Sequence, residues 1–363
     1  MQFFYPLRLI FSFKFVILYE IEIFLHAVKP HFSFFVPLLR RTSQHFYKPG
    51  RQRGCTFMDQ NRIYIMTDSN SGFTPEEGEK LNIGVIPMPV IIDEQEYLED
   101  ISITRDEFFA RQESGASIVT SQPSPELLLD AWNKALETYE TVLYIPMTSG
   151  LSGSCETARL LAADYDGRVL VVDNHRISWT LKESVLDARY LAEEGWTAQA
   201  IKDLLEAYGL RASIYIAVDT LEYLKKGGRI TPAVAAVGSL LNIKPVLQIQ
   251  GEKLDAFAKV RGIKAAQKRI LQAIDDDIAR RFAGKKIIIR AAYTCTVEKA
   301  AEWLDIIRAH FPSNRVYADP LSLSIATHTG PGALAAGVIE CPEEIPESVT
   351  EYWLEENAVA SPA

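Results

Sequence analysis

The sequence predicts an α/β protein of two domains. The first is built on a mainly parallel sheet with helices on both faces, and the second is a mixed α/β domain. Three observations predict this. Short apolar runs rich in β-branched residues alternate with helical stretches through the first half, the pattern of βαβ units. After Leu210, two extended runs meet at Gln250-Gly251-Glu252, a hairpin signal foreign to a purely parallel sheet. The 363 residues suffice for two cores, and 48% hydrophobic with 23% charged residues is an ordinary globular mixture.

The elements follow in order. Arg62–Thr67 is a buried strand that empties into the loop Asp68-Ser69-Asn70-Ser71-Gly72. Thr74-Pro75-Glu76-Glu77 is a helix start, with a cap, a proline in the first turn and a glutamate three residues after the cap. Ile83–Ile92 is a second extended segment, and Thr104 to Gln112 a short helix. An extended piece ends in Thr120-Ser121-Gln122-Pro123-Ser124. Ser124-Pro125-Glu126 then opens a helix that runs toward Tyr139. Thr141–Pro146 is a strand, Ser149–Ser154 a Gly/Ser loop, Glu156–Ala163 a helix and Arg168–Asp173 a strand. Trp179–Glu194 and Ala198–Tyr208 are helices, and the domain boundary is placed near Gly209, giving domains 58–209 and 210–363. In the second half, Ala212–Val218, Lys244–Gln250, Lys253–Val260, Lys286–Ala292 and Arg315–Leu323 are strands. Leu221–Lys226, Pro232–Leu241, Gly262–Ala279 and Val297–His310 are helices. The acidic tail after Glu343 is expected at the periphery.

Residues 1–57 differ from the rest. They are dense in Phe, Leu and Ile with basic punctuation, but Lys14, Glu20 and Glu22 interrupt the most apolar stretch. No small-residue cleavage site follows. The expectation is a non-native extension, with translation starting at Met58. A membrane-associating segment is the alternative.

Charge and cysteines narrow the function. A net charge of −9 argues against a general nucleic-acid binder, which needs a cationic surplus to neutralise phosphates. Cys55, Cys155, Cys295 and Cys341 are scattered, without a CxxC pair or zinc-ligand spacing, so free thiols in a reducing cytoplasm are expected, with no metal and no cofactor.

Ligands of open α/β sheets bind beyond the carboxyl ends of the strands. Here those ends carry hydroxyls: Thr120 and Ser121 after one strand, Ser149 and Ser152 after another. Ser and Thr are the preferred helix caps, and Ser124 before Pro125 reads as a cap alone. The remaining hydroxyls exceed what capping requires. Together with helix amino-termini they favour an anion, and Gly150 and Gly153 allow close backbone approach. No GxGxxG or GxxxxGK[ST] cradle is present. His328, beside Gly330-Pro331-Gly332 at the end of an extended segment, could donate to the same anion. The basic loop Leu224 to Pro232 suits a phosphate or a partner protein. Ala233, Ala235, Ala236 and Gly238 give a helix of little bulk that leaves room for an apolar tunnel.

These pieces resemble the DegV family of fatty-acid-binding proteins. The resemblance rests on Thr67-Asp68-Ser69, on Thr120-Ser121-Gln122-Pro123-Ser124 and on Ser149-Gly150-Leu151-Ser152-Gly153. It continues through Leu224 to Ile230, Ile243 to Leu247, Lys259-Val260-Arg261 and His328 to Leu334, in the family's order. It implies a two-domain DegV-like fold that buries a long-chain fatty acid. It also implies that Thr120 and Ser152 bind the carboxylate with His328 nearby, Ser121 and Ser149 being secondary candidates. Arg229 would lie where a fatty acid kinase docks. The implied role is a non-catalytic, cytoplasmic lipid-binding subunit. A separate kinase would form the acyl phosphate for phospholipid synthesis, with transient membrane contact. Gly72 departs from the family, which often has an acidic residue at that point.

A competing reading is a serine-type acyl ester hydrolase with Ser152 as nucleophile, His328 as base and Asp68 or Asp173 as orienter. Gly150-Leu151-Ser152-Gly153-Ser154 approaches a nucleophile elbow, but G-x-S-x-G requires glycine where Ser154 stands. A third reading is a ligand-responsive regulator that works without a kinase.

Overall fold

Residues 62–232, 243–251 and 253–346 are described by the structure, a computed structural model. Strand β1 (Ile63–Asp68) pairs in parallel with β2 (Gly84–Ile86) and with β6 (Thr141–Ile145), and β6 pairs in parallel with β7 (Val169–Val171). The resulting order is β2-β1-β6-β7. Helices cover both faces, as expected. Because strand side chains alternate, one strand feeds two cores. On one face, α3 (Pro125–Leu136) and α4 (Ser154–Ala162) pack Leu128, Trp132, Cys155 and Ala158 on Met66, Val142 and Tyr144. On the other, α5 (Trp179–Glu193) and α6 (Ala198–Tyr208) pack Val185, Leu191, Ile201 and Leu205 on Ile65, Leu143 and Ile145. Helix α1 (Pro75–Leu81) opens with the predicted capping box: Thr74 Oγ1 accepts the Glu77 amide at 3.1 Å, and Glu77 Oε2 accepts the Thr74 amide at 2.9 Å.

The run Ile83–Ile92 is two strands, not one. Pro87 lacks an amide for a continuous ladder, and the chain turns there. Strand β3 (Pro89–Ile92) joins β4 (Gln95–Leu98) and β5 (Ile118–Thr120) in a separate antiparallel sheet of order β4-β3-β5. Strand β4 gives little sequence signal because Gln95 and Glu96 are exposed and polar. Helices α2 (Arg105–Glu113) and α10 (Leu323–Thr329) close over this sheet, packing Phe108, Leu323 and Ala326 with Val90, Ile92 and Ile118.

The second half is a six-stranded mixed sheet made of β8 (Ala212–Ala217), β9 (Ile243–Ile249), β10 (Asp255–Arg261), β11 (Ile287–Tyr293), β12 (Ala318–Pro320) and β13 (Leu334–Glu340). Its order is β10-β9-β8-β13-β11-β12. Only β11 and β12 run parallel, and β9 and β10 form the predicted antiparallel pair. One face is covered by α8 (Ile263–Arg280) and α9 (Val297–His310), whose Ile270, Ile274, Trp303 and Ile307 meet Tyr215, Val246, Ile289 and Ala336. The opposite face, with Ile214, Ile216, Leu247 and Ala335, shares a core with α5 and the parallel sheet. That core draws on both sides of Gly209. Within it Arg290 and Glu183 form a buried pair, with Nε to Oε1 at 2.8 Å. Short helix α7 (Glu222–Gly227) precedes the basic loop.

Three expectations for the C-terminal region need correction. Only Ala318–Pro320 of the run Arg315–Leu323 is strand, and Leu323 starts α10, where the Ser322 hydroxyl accepts the Ile325 amide at 3.3 Å. His328 therefore sits in the last turn of a helix, not at the end of an extended segment. Its helix is short and its residues are poor helix formers, so tertiary packing decides the conformation. Strand β13 was not expected, since Ala335-Ala336-Gly337 is a weak strand signal; it lies at the sheet centre, where neighbours on both sides supply its hydrogen bonds. At the start of the acidic tail Glu343, Glu344 and Pro346 are exposed and Ile345 is buried, and the rest of the tail lies outside the described residues. The expected extension over residues 1–57, the small residues Ala233, Ala235, Ala236 and Gly238 and most of the helix predicted over Pro232–Leu241 lie outside the described residues.

Candidate functional site

The loops that leave β1 and β6 are tied together by one buried carboxylate. Asp68 accepts the Asn70 amide at 2.9 Å and the Met147 amide at 2.8 Å, and burial pushes its pKa up to about 6. Ser69 Oγ accepts the Met88 amide at 3.0 Å, and Ser322 Oγ donates to Asn70 Oδ1 at 2.8 Å. The turn closes at Gly72, whose φ of 85° is a left-handed conformation that L side chains rarely adopt. A glycine there, where an acidic residue is common in the family, suits the backbone of this chain. The Thr67-Asp68-Ser69 motif thus fixes the wall of a site.

Behind that wall lies a cavity of about 830 Å³, mouth included. One end is polar: Thr120, Ser121, Gln122, Ser152, His328 and Arg229 line it. The rest is mainly apolar, with Trp179, Ile214, Ile216, Leu254, Leu321 and Ala335 among its walls. A second, smaller pocket of about 350 Å³, open space included, shares Thr120, Arg229 and His328 with the first. These three side chains therefore border both.

Each polar residue is held by its element. Thr120 closes β5, and its Oγ1 lies 2.9 Å from His328 Nε2 on α10. The His328 Nδ1 is buried without a hydrogen-bond partner, backed by Gly227, where an added Cβ would lie only 2.0 Å away. Glycine is required there for His328 to lie against α7. Burial, and secondarily the Arg229 charge, lower the His328 pKa to about 4, so the ring is neutral near pH 7. Arg229 is half-buried and donates from Nη1 to the Gly227 carbonyl at 2.5 Å. Ser152 Oγ accepts the Ser154 amide at 3.2 Å at the start of α4, where Gly153 has no side chain to cap with. Ser121 is exposed at the rim. Ser149 is exposed and outside the lining, its amide donating to Asp173 Oδ1 at 3.3 Å. Ser124 caps α3 through the Leu127 amide at 3.2 Å, as expected.

The hydrolase reading is not supported. His328 Nε2 meets Thr120, not Ser152, and Nδ1 has no carboxylate to orient it. Asp68 is engaged by two backbone amides, and Asp173 lies near Arg159 and the Ser149 amide. A triad is recognised by geometry, and this geometry lacks one. Among the described residues no group of three or more His, Cys, Asp or Glu could hold a metal, and no helix is long and apolar enough to cross a membrane. Cys155, Cys295 and Cys341 are free thiols.

Several lining residues carried no sequence signal. Asn70, Met88 and Trp179 read as ordinary loop or core positions, and Ala292 and Ala335 as strand filler. Only the sheet register, which a single sequence does not reveal, brings the two alanines together.

The sequence and the fold resemble those of known proteins. The DegV family model, described as that of an uncharacterised protein, matches residues 62–341. A DegV domain-containing protein of Deinococcus radiodurans is 34% identical over 281 residues, covering 76% of this chain and 98% of that protein. A fatty-acid-binding DegV family protein from Thermus thermophilus superimposes with a TM-score of 0.71 at 33% identity, covering 77% of this chain and all of that one. DegV from Bacillus subtilis, described as a fatty acid binding protein, gives 0.69 at 28% identity, covering 77% and 99%. This chain belongs to the DegV family.

Proposed function

We propose that this protein holds a long-chain fatty acid in the interior cavity and presents its carboxylate, at the polar end, to a separate fatty acid kinase. The observation that carries the reading is one cavity with two chemistries: a mainly apolar interior and a hydroxyl–imidazole–guanidinium mouth that opens on a groove. The fatty acids bound by the related Thermus and Bacillus proteins support the ligand class.

The energetics suit a lipid. Each buried CH₂ contributes roughly 0.8 kcal/mol, so an acyl chain of ordinary length gains on the order of 10 kcal/mol before ordering costs. A buried carboxylate needs partners or it would take up a proton. Neutral His328 can donate from Nε2 to Thr120 Oγ1, which turns the Thr120 hydroxyl hydrogen toward the ligand. Ser152 supplies a second hydroxyl, and Arg229 stands at the edge of the groove. Ser121 and Ser149 would stand further out. In this reading the protein itself performs no catalysis: the kinase phosphorylates the presented carboxylate, and the acyl phosphate stays in the cavity.

Arg229 serves two sides at once, because it lines both the cavity and the groove. Replacing it with alanine should spare lipid binding and impair phosphorylation by the kinase. Loss of lipid binding with intact docking would reverse that role. The reading further assigns residues 58–209 and 210–363 to two structural domains, residues 1–57 to a non-native extension, and the protein to the cytoplasm with transient membrane contact.

The test is mass spectrometry of the purified protein begun at Met58, native and after organic extraction. One stoichiometric fatty acid, depleted in a Thr120→Ala/Ser152→Ala double variant, is expected. A clean apo mass that also refuses added fatty acid would mean the family fold holds a different small anion here.

A further inference from the structure

One apolar wall of the cavity is set by the register of the six-stranded sheet. Side chains of β8, β13 and β11 alternate between the two faces. Ile214, Ile216, Ala335 and Ala292 fall on the cavity face, while Tyr215, Ala217, Ala336 and Ala291 fall beneath α8 and α9. Across the strands, Ala292 pairs with Ala335, and Ala335 with Ile216. One rung thus places two methyl groups side by side at the sheet centre, both 1% exposed. On the next rung Gly337 pairs with Ile214. An added Cβ at Gly337 would meet Trp179 Cζ2 at 3.0 Å, so the Trp179 indole occupies the space above that rung. Trp179 is itself 1% exposed and lines the same cavity. The rungs therefore differ: one is filled by an indole, and the adjacent one is left open by two alanines.

We infer that the Ala292/Ala335 rung accommodates the methyl end of the ligand, that Trp179 is its stop, and that these three residues set the longest acyl chain the protein accepts. The inference rests on the fatty-acid reading of the cavity and adds to it the residues that measure chain length. Both alanines belong to the buried core and also line the cavity. A larger side chain at either position would occupy the space of terminal methylenes while leaving Thr120, Ser152 and His328 unchanged.

The experiment compares the parent protein with Ala335→Leu and, as a milder change, Ala292→Val. Each is offered an equimolar mixture of saturated fatty acids from twelve to twenty carbons, roughly the span of ordinary acyl chains, and the bound species are read by mass spectrometry. Each methylene displaced should weaken binding by about fourfold. Ala335→Leu, displacing about two, should lower occupancy by the longest chain on the order of fifteenfold and move the preferred length down. Ala292→Val should move it less. Thermal melting of the stripped proteins gives an independent reading. If the rung is open, a larger residue fills space and the unliganded variant melts at or above the parent. If the rung is packed core, overpacking lowers the melting point. An unchanged length profile, or a clear loss of unliganded stability in both variants, overturns the inference. A parent protein that takes up no fatty acid at all would instead overturn the reading of the cavity, and is recognised because the parent fails before any variant is compared.

Discussion

The polar end and the apolar wall of the cavity are built by different means. The polar end comes from loops and helix ends: Thr120 after β5, Ser152 before α4, His328 in the last turn of α10 and Arg229 after α7. The apolar wall comes from strand interiors, with Ile214, Ile216, Ala292 and Ala335 facing the cavity by register. Loop ends can change a ligand's head group without disturbing a core, and they carry chemistry for that reason. Strand interiors answer to two cores at once, because each residue's neighbour faces the other side.

Substitutions should expose that difference, and the largest effect is expected in the buried core behind the strand wall, outside the cavity lining. Arg290→Ala strands the Glu183 carboxylate, which is 4% exposed, without its guanidinium. Breaking one partner of a buried pair costs about 3–5 kcal/mol. Denaturant unfolding should show that loss, and a change below about 1 kcal/mol would mean the pair is replaced by water or a shifted neighbour. At the polar end, Gly227→Ala drives a Cβ into His328 and should cost about 1–3 kcal/mol by overpacking, with the Thr120–His328 bond displaced. Thermal unfolding and the His328 ring signals in NMR would report both. Equal stability with unmoved ring signals would argue that α7 simply shifts. Thr74→Ala removes a cap remote from both ends and should cost about 1 kcal/mol in the same melts, leaving ligand binding intact.

The smallest effects separate the ends by pH. His328 titrates at about 4 in the folded protein against an ordinary 6.5, so the unfolded chain binds more protons between those values. Its contribution is therefore present above about 6.5 and is lost as pH falls toward 4. The carboxylates have the opposite sign. Burial raises Asp187 to about 7 and Asp68 to about 6, so their contribution is present below about 4 and is lost as pH rises through those values. Over the same window His328→Gln should remove a loss of stability on acidification from about 6.5 to 4, and Asp187→Asn a loss on raising the pH from about 4 to 7, so the two variants change the slope in opposite directions. A profile in which the two variants change the slope in the same direction would contradict the assignment.

What the sequence revealed follows the same division. Thr120, Ser152 and His328 were legible because they sit in runs where hydroxyls and glycines outnumber what turns require. The parallel sheet was legible from β-branched runs such as Ile63 to Thr67, and α1 from its capping box. The apolar wall was not. Ala335 and Ala292 carry no periodic signal of their own, and their meaning comes from lying side by side. Strand β13, with Ala335, Ala336 and Gly337 in its middle, offers little apolar bulk, so the pattern that identifies other strands is missing. His328 was found, but its setting was misjudged, because a helix of seven residues with β-branched members is held by packing, not propensity.

The place of β13 in the chain has a consequence for synthesis. It is the last strand of the described fold, yet it fills the middle of its sheet, between β8 and β11. As the chain leaves the ribosome, β1, β6 and their helices can assemble early, since domains form from the amino-terminal side. Strands β8 and β11 then wait with open edges, which are templates for unwanted pairing. The strand that carries Ala335 arrives last. The polar lining, which needs Arg229 and His328, and the strand wall are therefore both completed only by the last part of the described chain. A protein truncated before residue 334 would fail as an aggregate with two unpaired strand edges, not as a weak binder.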